Sequence, residues 1–152
     1  MKNICIAISL CFLSIGVKAQ NDNPKYNAEL AKKLEGDEYG MKGYIFVILK
    51  TGKNETQDKI IKDSCFRGHM ANIEHMVKIN KLIVAGPMEK NDKAYRGIFI
   101  LNVADKEEAM ALLSKDPAIE AGLLEPEYYT WYGSAALPEY LEASDQIWKK
   151  RH

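Results

Sequence analysis

The chain has 152 residues, with 21 basic and 21 acidic side chains, 47% hydrophobic residues and three cysteines. That length suits one domain, or one domain and a removable segment. Balanced charge argues against the basic face of a nucleic-acid binder. Ordinary hydrophobic content argues against wholesale disorder, and three cysteines are too few for a disulfide scaffold.

The first segment reads as an address. Met1-Lys2-Asn3 gives a positive start, Ile4 to Val17 is an apolar run, and Val17-Lys18-Ala19 sets small residues ahead of Gln20. This is the pattern of a secretory signal peptide over residues 1–19, and the run is shorter than the ~20 apolar residues of a membrane span. An uncleaved anchor is the alternative. Leu10 is too bulky to precede a lipidated Cys11. Cleavage would remove Lys2, Lys18, Cys5 and Cys11, leaving 19 basic against 21 acidic residues and Cys65 as the single cysteine. The expectation is a periplasmic or secreted protein, free of the membrane after cleavage and held together by its core, not by a disulfide.

Residues 20–42 form a polar arm. Pro24, Tyr26, Leu30 and Leu34 space a short amphipathic helix, with Gly36 as its stop. Gly43 to Lys50 is a continuous apolar, β-branched run, which predicts a strand buried on both faces. Thr51 to Asn54 ends it. Asn54-Glu55-Thr56 matches the N-glycosylation pattern, which has meaning only in a eukaryotic secretory pathway. A helix is predicted from Asp58 to Asn80, with Phe66, Met70, Ile73 and Val77 as its buried stripe. Lys81 to Ala85 is a second strand, closed by Gly86-Pro87. After a polar loop over 88–95, Arg96 to Val103 is a third strand. Asp105 and Glu108 form a capping box that opens a helix whose inner face is Ala109, Leu112 and Leu113. Asp116-Pro117 breaks that helix, and a further turn runs to Gly122. Leu123 to Tyr132 is the fourth strand, with Tyr129 and Trp131 on one face and Tyr128 and Tyr132 on the other. Leu141 and Trp148 mark a terminal helix within a C-terminal extension, residues 135–152.

The order β-α-β-β-α-β predicts an α+β, ferredoxin-like domain over residues 43–134: an antiparallel sheet with helices on one face and extra helices at the termini. The strands read apolar on both sides, yet the chain supplies no second layer. A sheet-to-sheet homodimer is the simplest cover.

The segments Gly68-His69-Met70-Ala71-Asn72-Ile73 and Lys81-Leu82-Ile83-Val84-Ala85-Gly86-Pro87-Met88 resemble the YCII-related (YciI-like) family. The resemblance continues through Arg96-Gly97-Ile98-Phe99-Ile100, Glu107-Glu108-Ala109 and Asp116-Pro117-Ala118-Ile119-Glu120-Ala121-Gly122, and ends at Trp131-Tyr132-Gly133. It covers about residues 43–134. It implies a dimeric α+β barrel with a pocket between helix and sheet, and a His–Asp pair, here His69 and Asp116. The signal peptide and the two terminal extensions depart from the small cytoplasmic members.

The candidate catalytic residues are therefore His69 and Asp116, each with a structural alternative. His69 lies four before Ile73, at the edge of the predicted stripe, where a satisfied core histidine is the other reading. Asp116 precedes Pro117 and is a favoured helix N-cap. A carboxylate has more than one acceptor site, so a cap and an orienting partner for an imidazole need not exclude each other. Together they suit proton transfer next to a carbonyl, with return elsewhere or loss of a leaving group, which needs no cofactor. His75 lies on another helix face, no H-E-x-x-H or cysteine cluster exists, and no metal is expected. A heme site has no motif beyond an available histidine. Cys65 sits one turn before His69 and reads as a small buried hydrophobe before a nucleophile; Ser64 is weaker still. Gly86, Pro87, Arg96 and Trp131 are the candidate ligand-binding residues. Their alternatives are an ordinary strand-ending turn, a surface ion pair, and core or dimer interface. The expected function is an exported, cofactor-independent lyase or isomerase on a small carbonyl-containing metabolite. The alternative is a noncatalytic small-ligand-binding or dimeric assembly domain.

Overall fold

The computed structural model describes residues 23–149; the predicted signal peptide, residues 1–19, lies outside the described residues. The first element is a short helix, α1 (Ala28–Lys33), capped by Asn27, whose side chain accepts from the Leu30 amide. It ends at Leu34, and the left-handed residue is Glu35 at φ 60°, not the expected Gly36. Gly36 is needed for proximity instead: a Cβ there would lie 3.3 Å from the Ala135 Cβ.

The central strand β1 (Met41–Thr51) begins the domain. Helix α2 (Lys59–Lys78) follows, opened by the Asp58 carboxylate, which accepts from the Ile60 and Ile61 amides. Then come β2 (Leu82–Pro87), β3 (Tyr95–Leu101), α3 (Lys106–Leu113), the single turn α4 (Pro117–Glu120) and β4 (Leu124–Ser134). The sheet order is β2-β3-β1-β4 with every neighbour antiparallel, the expected ferredoxin-like split βαβ arrangement. At α3 the predicted capping box forms in modified shape. Asp105 accepts from the Glu108 amide, and Glu108 reaches back to the Ala104 amide instead of that of Asp105.

Alternation along β1 divides the residues between two faces. Ile45, Val47 and Leu49 face the helices and join Phe99, Leu101, Leu82, Met76 and Leu113 in one core. Tyr44, Phe46 and Ile48 face the other way, opposite Trp131, Tyr129 and Glu127 of β4. This outer face is only half covered: Phe46 and Ile48 are partly exposed and Tyr129 is 46% exposed. It is not bare throughout, as the sequence suggested. Tyr44 is buried against the Trp131 ring, and its hydroxyl donates to the Ser134 carbonyl. Beyond β4, a 3₁₀ turn (Leu137–Glu139) leads into α5 (Tyr140–Ile147). The Tyr140 hydroxyl donates to the Ile83 carbonyl at 2.6 Å, so the extension ties the β4 edge of the sheet to the β2 edge. The N-terminal arm closes the same end through Lys33–Glu139 and Asp37–Tyr132 contacts.

The stripe predicted for α2 is corrected. Met76 and His69 are its buried residues, with Cys65, Ile73 and Val77 packed against the core; Phe66 and Met70 are each 37% exposed. The helix is rotated so that His69, not Phe66, points at the sheet. The cause is a tight contact with α4. A Cβ on Gly68 would stand 2.6 Å from the Pro117 Cγ, so the two elements approach more closely than any side chain at 68 allows. That approach brings the next residues on each element, His69 and Asp116, side by side.

A Gly68→Ala change isolates this contact. Helix propensity alone favours alanine by about 1 kcal/mol, whereas overpacking against a proline ring costs about 1–3 kcal/mol. Urea denaturation is expected to show net destabilisation. An alanine variant more stable than the parent overturns the packing argument.

Candidate functional site

Asp116 is fully buried, and its two oxygens do different things. Oδ1 accepts from the Ala118 and Ile119 amides at 3.0 and 3.4 Å, the N-cap of α4. Oδ2 lies 2.7 Å from His69 Nδ1 and accepts from Asn72 Nδ2 at 3.2 Å. The cap and the histidine contact therefore coexist on separate atoms. Burial pushes the Asp116 carboxyl up, but hydrogen bonds from His69, Asn72 and the Ala118 amide, with the field of His69, together hold it below its ordinary value.

The imidazole is fixed from three sides. Phe99 stacks on it with ring centroids 5.9 Å apart, and Phe66 meets it edge-on at 6.2 Å. With a carboxylate accepting at Nδ1, neutral His69 carries its proton there and a lone pair on Nε2. Among the described residues Nε2 has no hydrogen-bond partner, and no buried side-chain nitrogen or oxygen is left without one. Nε2 therefore reaches solvent, and the cavity that His69 lines is its outlet.

That cavity has a volume of about 640 Å³ and lies between α2 and the inner face of the sheet. Phe66, Met70 and Ile73 form one wall; Leu49, Phe99 and Leu124 form the floor. It exists because the sheet residues at its β2 side, Ala85 and Gly97, are small and leave the space beneath α2 unfilled. The exposed flanks of Phe66 and Met70 are thus cavity wall, not misplaced core.

The remaining candidates separate. Gly86 and Pro87 do line the cavity, but as the last paired residues of β2, opposite Ile98 and Gly97, and not as a turn. The glycine that a close approach requires is Gly97, where a Cβ would stand 2.8 Å from the Gly86 carbonyl oxygen. Arg96 lines the cavity with an exposed side chain. Trp131 does not join the site. It pairs with Tyr44 on the outer face, at the far end of β4, and its ring lies over Gly133. Cys65 is a free thiol packed against the core, while Ser64 and His75 are exposed and outside the cavity. Among the described residues no group of three His, Cys, Asp or Glu is placed to hold a metal, and no helix is long and apolar enough to cross a membrane.

Sequence reasoning passed over Asn72, Phe66 and Phe99 as site residues. Asn72 and Phe66 stand three residues after and before His69, and that spacing was the available signal. Phe99 comes from a different strand and had none.

A family model for the YCII-related domain matches residues 44–131. Among solved structures, the chain is similar to a 5-chloro-2-hydroxyhydroquinone dehydrochlorinase from Burkholderia phenoliruptrix AC1100, in complex with 2,5-dihydroxybenzoquinone. The identity is 21%, the match covers 57% of this chain and 92% of that one, and the TM-score is 0.42. No curated protein matches.

Asp116 gives a pH signature. Its carboxyl is more acidic in the folded chain than unfolded, so the folded state binds fewer protons over that interval. The stabilisation is complete above the unfolded value of ~3.9 and is lost as pH falls through the lower folded value. Relative to Asp116→Asn, the parent is expected to be more stable by about 1–3 kcal/mol at about pH 5. The gap should shrink below about pH 4 in urea titrations. A gap independent of pH means that the charge contributes nothing.

Proposed function

The chain belongs to the YCII-related domain family, and from that premise we propose a cofactor-independent lyase or isomerase acting on a small carbonyl-containing molecule. The observation that carries the reading is the 2.7 Å contact between His69 Nδ1 and Asp116 Oδ2, with Nε2 open to an apolar cavity. Nε2 is the general base. It takes a proton from the carbon next to the substrate carbonyl, and the C–H electron pair moves into the enolate. The Asp116 carboxylate holds the resulting imidazolium in place and offsets its charge. Return of the proton from Nε2 to another carbon completes an isomerisation. Departure of a group from the adjacent carbon, carrying its bonding pair, completes an elimination, and the proton on Nε2 passes to the leaving group or to water. The apolar walls limit water around the enolate.

Two further parts of the reading rest on less. Export rests on the signal-peptide pattern of residues 1–19. The homodimer rests on the half-exposed outer sheet face, where Phe46, Ile98, Ile100 and Tyr129 form an apolar surface. A partner sheet would bury it.

The acid–base role is tested by solvent exchange. Small carbonyl compounds that raise the thermal midpoint of the protein are incubated in D₂O, and loss of the α-proton signal is followed by NMR. A His69→Gln variant is expected to exchange or turn over at least about 100-fold more slowly while still binding. Equal rates in the two proteins remove the catalytic reading and leave a small-ligand-binding domain.

The dimer is tested by sedimentation at micromolar concentration. A twofold mass is expected, and an Ile100→Lys change on the outer face should dissociate it. A parent protein that sediments as a monomer rules the dimer out.

A further inference from the structure

We infer that the substrate of this cavity is a small organic anion, with an apolar body in the cavity and its anionic group on Arg96. The inference deepens the proposed reading of the cavity as the substrate site, and rests on it. Of the side chains that line the cavity only His69 and Arg96 are polar; the rest are aliphatic, aromatic or backbone. One is the base. The other is a permanent cation with no role in the proton transfer just described.

The position of Arg96 is the product of a backbone irregularity. Along β3, Gly97 and Phe99 face inward, so strict alternation puts Arg96 on the outer face with Ile98 and Ile100. The ladder slips there: Leu49 pairs with Gly97, but the next residue, Lys50, pairs with Tyr95. Arg96 is the extra residue of a β-bulge. Its carbonyl is held by the Met88 amide at 2.8 Å, and the residue lines the cavity with its side chain exposed. Bulges recur where a strand must turn one side chain toward a site.

The surroundings leave the guanidinium available. Among the described residues no carboxylate lies within ion-pair distance of it, whereas Lys50, Lys59 and Lys81 each hold an acid at 2.7 Å or less. No acidic side chain lines the cavity. A cation beside an apolar volume with no competing acid is complementary to an amphipathic anion. The planar fork of Arg matches a carboxylate in two parallel hydrogen bonds. With His69 and Phe99 stacked in the cavity, a flat ring is a suitable body.

Phenylacetate and its neutral isostere phenylacetamide are the probes, titrated by NMR into the parent protein, Arg96→Ala, Arg96→Lys and His69→Gln. Arg96 is exposed, so its replacement leaves the core intact. The parent is expected to bind phenylacetate about tenfold more tightly than the amide. Arg96→Ala should abolish that preference without weakening the amide, Arg96→Lys should restore part of it, and added salt should reduce it. His69→Gln should keep the preference while losing proton exchange. Equal affinity for the two probes, binding of neither, or an equal loss of both in Arg96→Ala overturns the inference. So does loss of the preference in His69→Gln with its retention in Arg96→Ala. The acid–base reading fails on a separate result, unchanged exchange rates in His69→Gln, whatever the probes show.

Discussion

The buried carboxylate of Asp116 is the joint on which this domain turns. It has no contact with solvent, yet it carries four hydrogen bonds from two elements: two amides of α4 on one oxygen, and His69 and Asn72 of α2 on the other. An unpaired carboxylate at that depth would be expelled or protonated. The four donors make the charged form the stable one, and they reach it only if α2 and α4 pack closely. Gly68 permits that packing by offering no side chain to the Pro117 ring. The contact then sets the rotation of α2, and the rotation decides which of its residues face the sheet.

The cavity follows from the same rotation. With His69 and Met76 inward, Phe66 and Met70 swing to one side and leave the inner face of β2 and β3 uncovered near Ala85 and Gly97. Large side chains at those two positions would fill the space. Small ones leave an apolar hollow whose polar lining residues are His69, with its held imidazole, and Arg96, set at a bulge. Backbone geometry, not local propensity, thus places both of the polar groups that give the hollow its chemistry.

Much of this was legible in the sequence, and the misses have physical reasons. The element order, the sheet class and the capping residues Asp105 and Asp116 are local signals, and each is found where period and cap chemistry put it. The 3.6-residue pattern of α2 gives the stripe Phe66, Met70, Ile73 and Val77, of which Ile73 and Val77 pack on the core. The pattern weighs apolar residues and cannot see the tertiary contact that turns His69 inward. Gly86-Pro87 looked like a turn because both residues are turn formers. As part of an edge strand, Pro87 needs no amide for the ladder. Trp131, a candidate ligand-binding residue with core or dimer interface as its alternative, is assigned by register to the face opposite His69. The bulge at Arg96 is invisible to any count along one strand, because it is a mismatch between two.

Separating the cap from the histidine contact has an energetic consequence. If one oxygen of Asp116 served both, any movement of the imidazole would loosen the start of α4. Because Oδ1 holds the amides and Oδ2 holds His69, the two contacts can move independently, and the turn that positions the carboxylate stays bonded when the imidazole shifts. Asn72 adds a second donor on Oδ2, so that this buried oxygen keeps a partner if the imidazole moves. The arrangement leaves each oxygen of the buried carboxylate with two donors, one pair from α4 and one pair from α2. A cap alone would need only the two amides on Oδ1; the two side-chain donors on Oδ2 are additional to it.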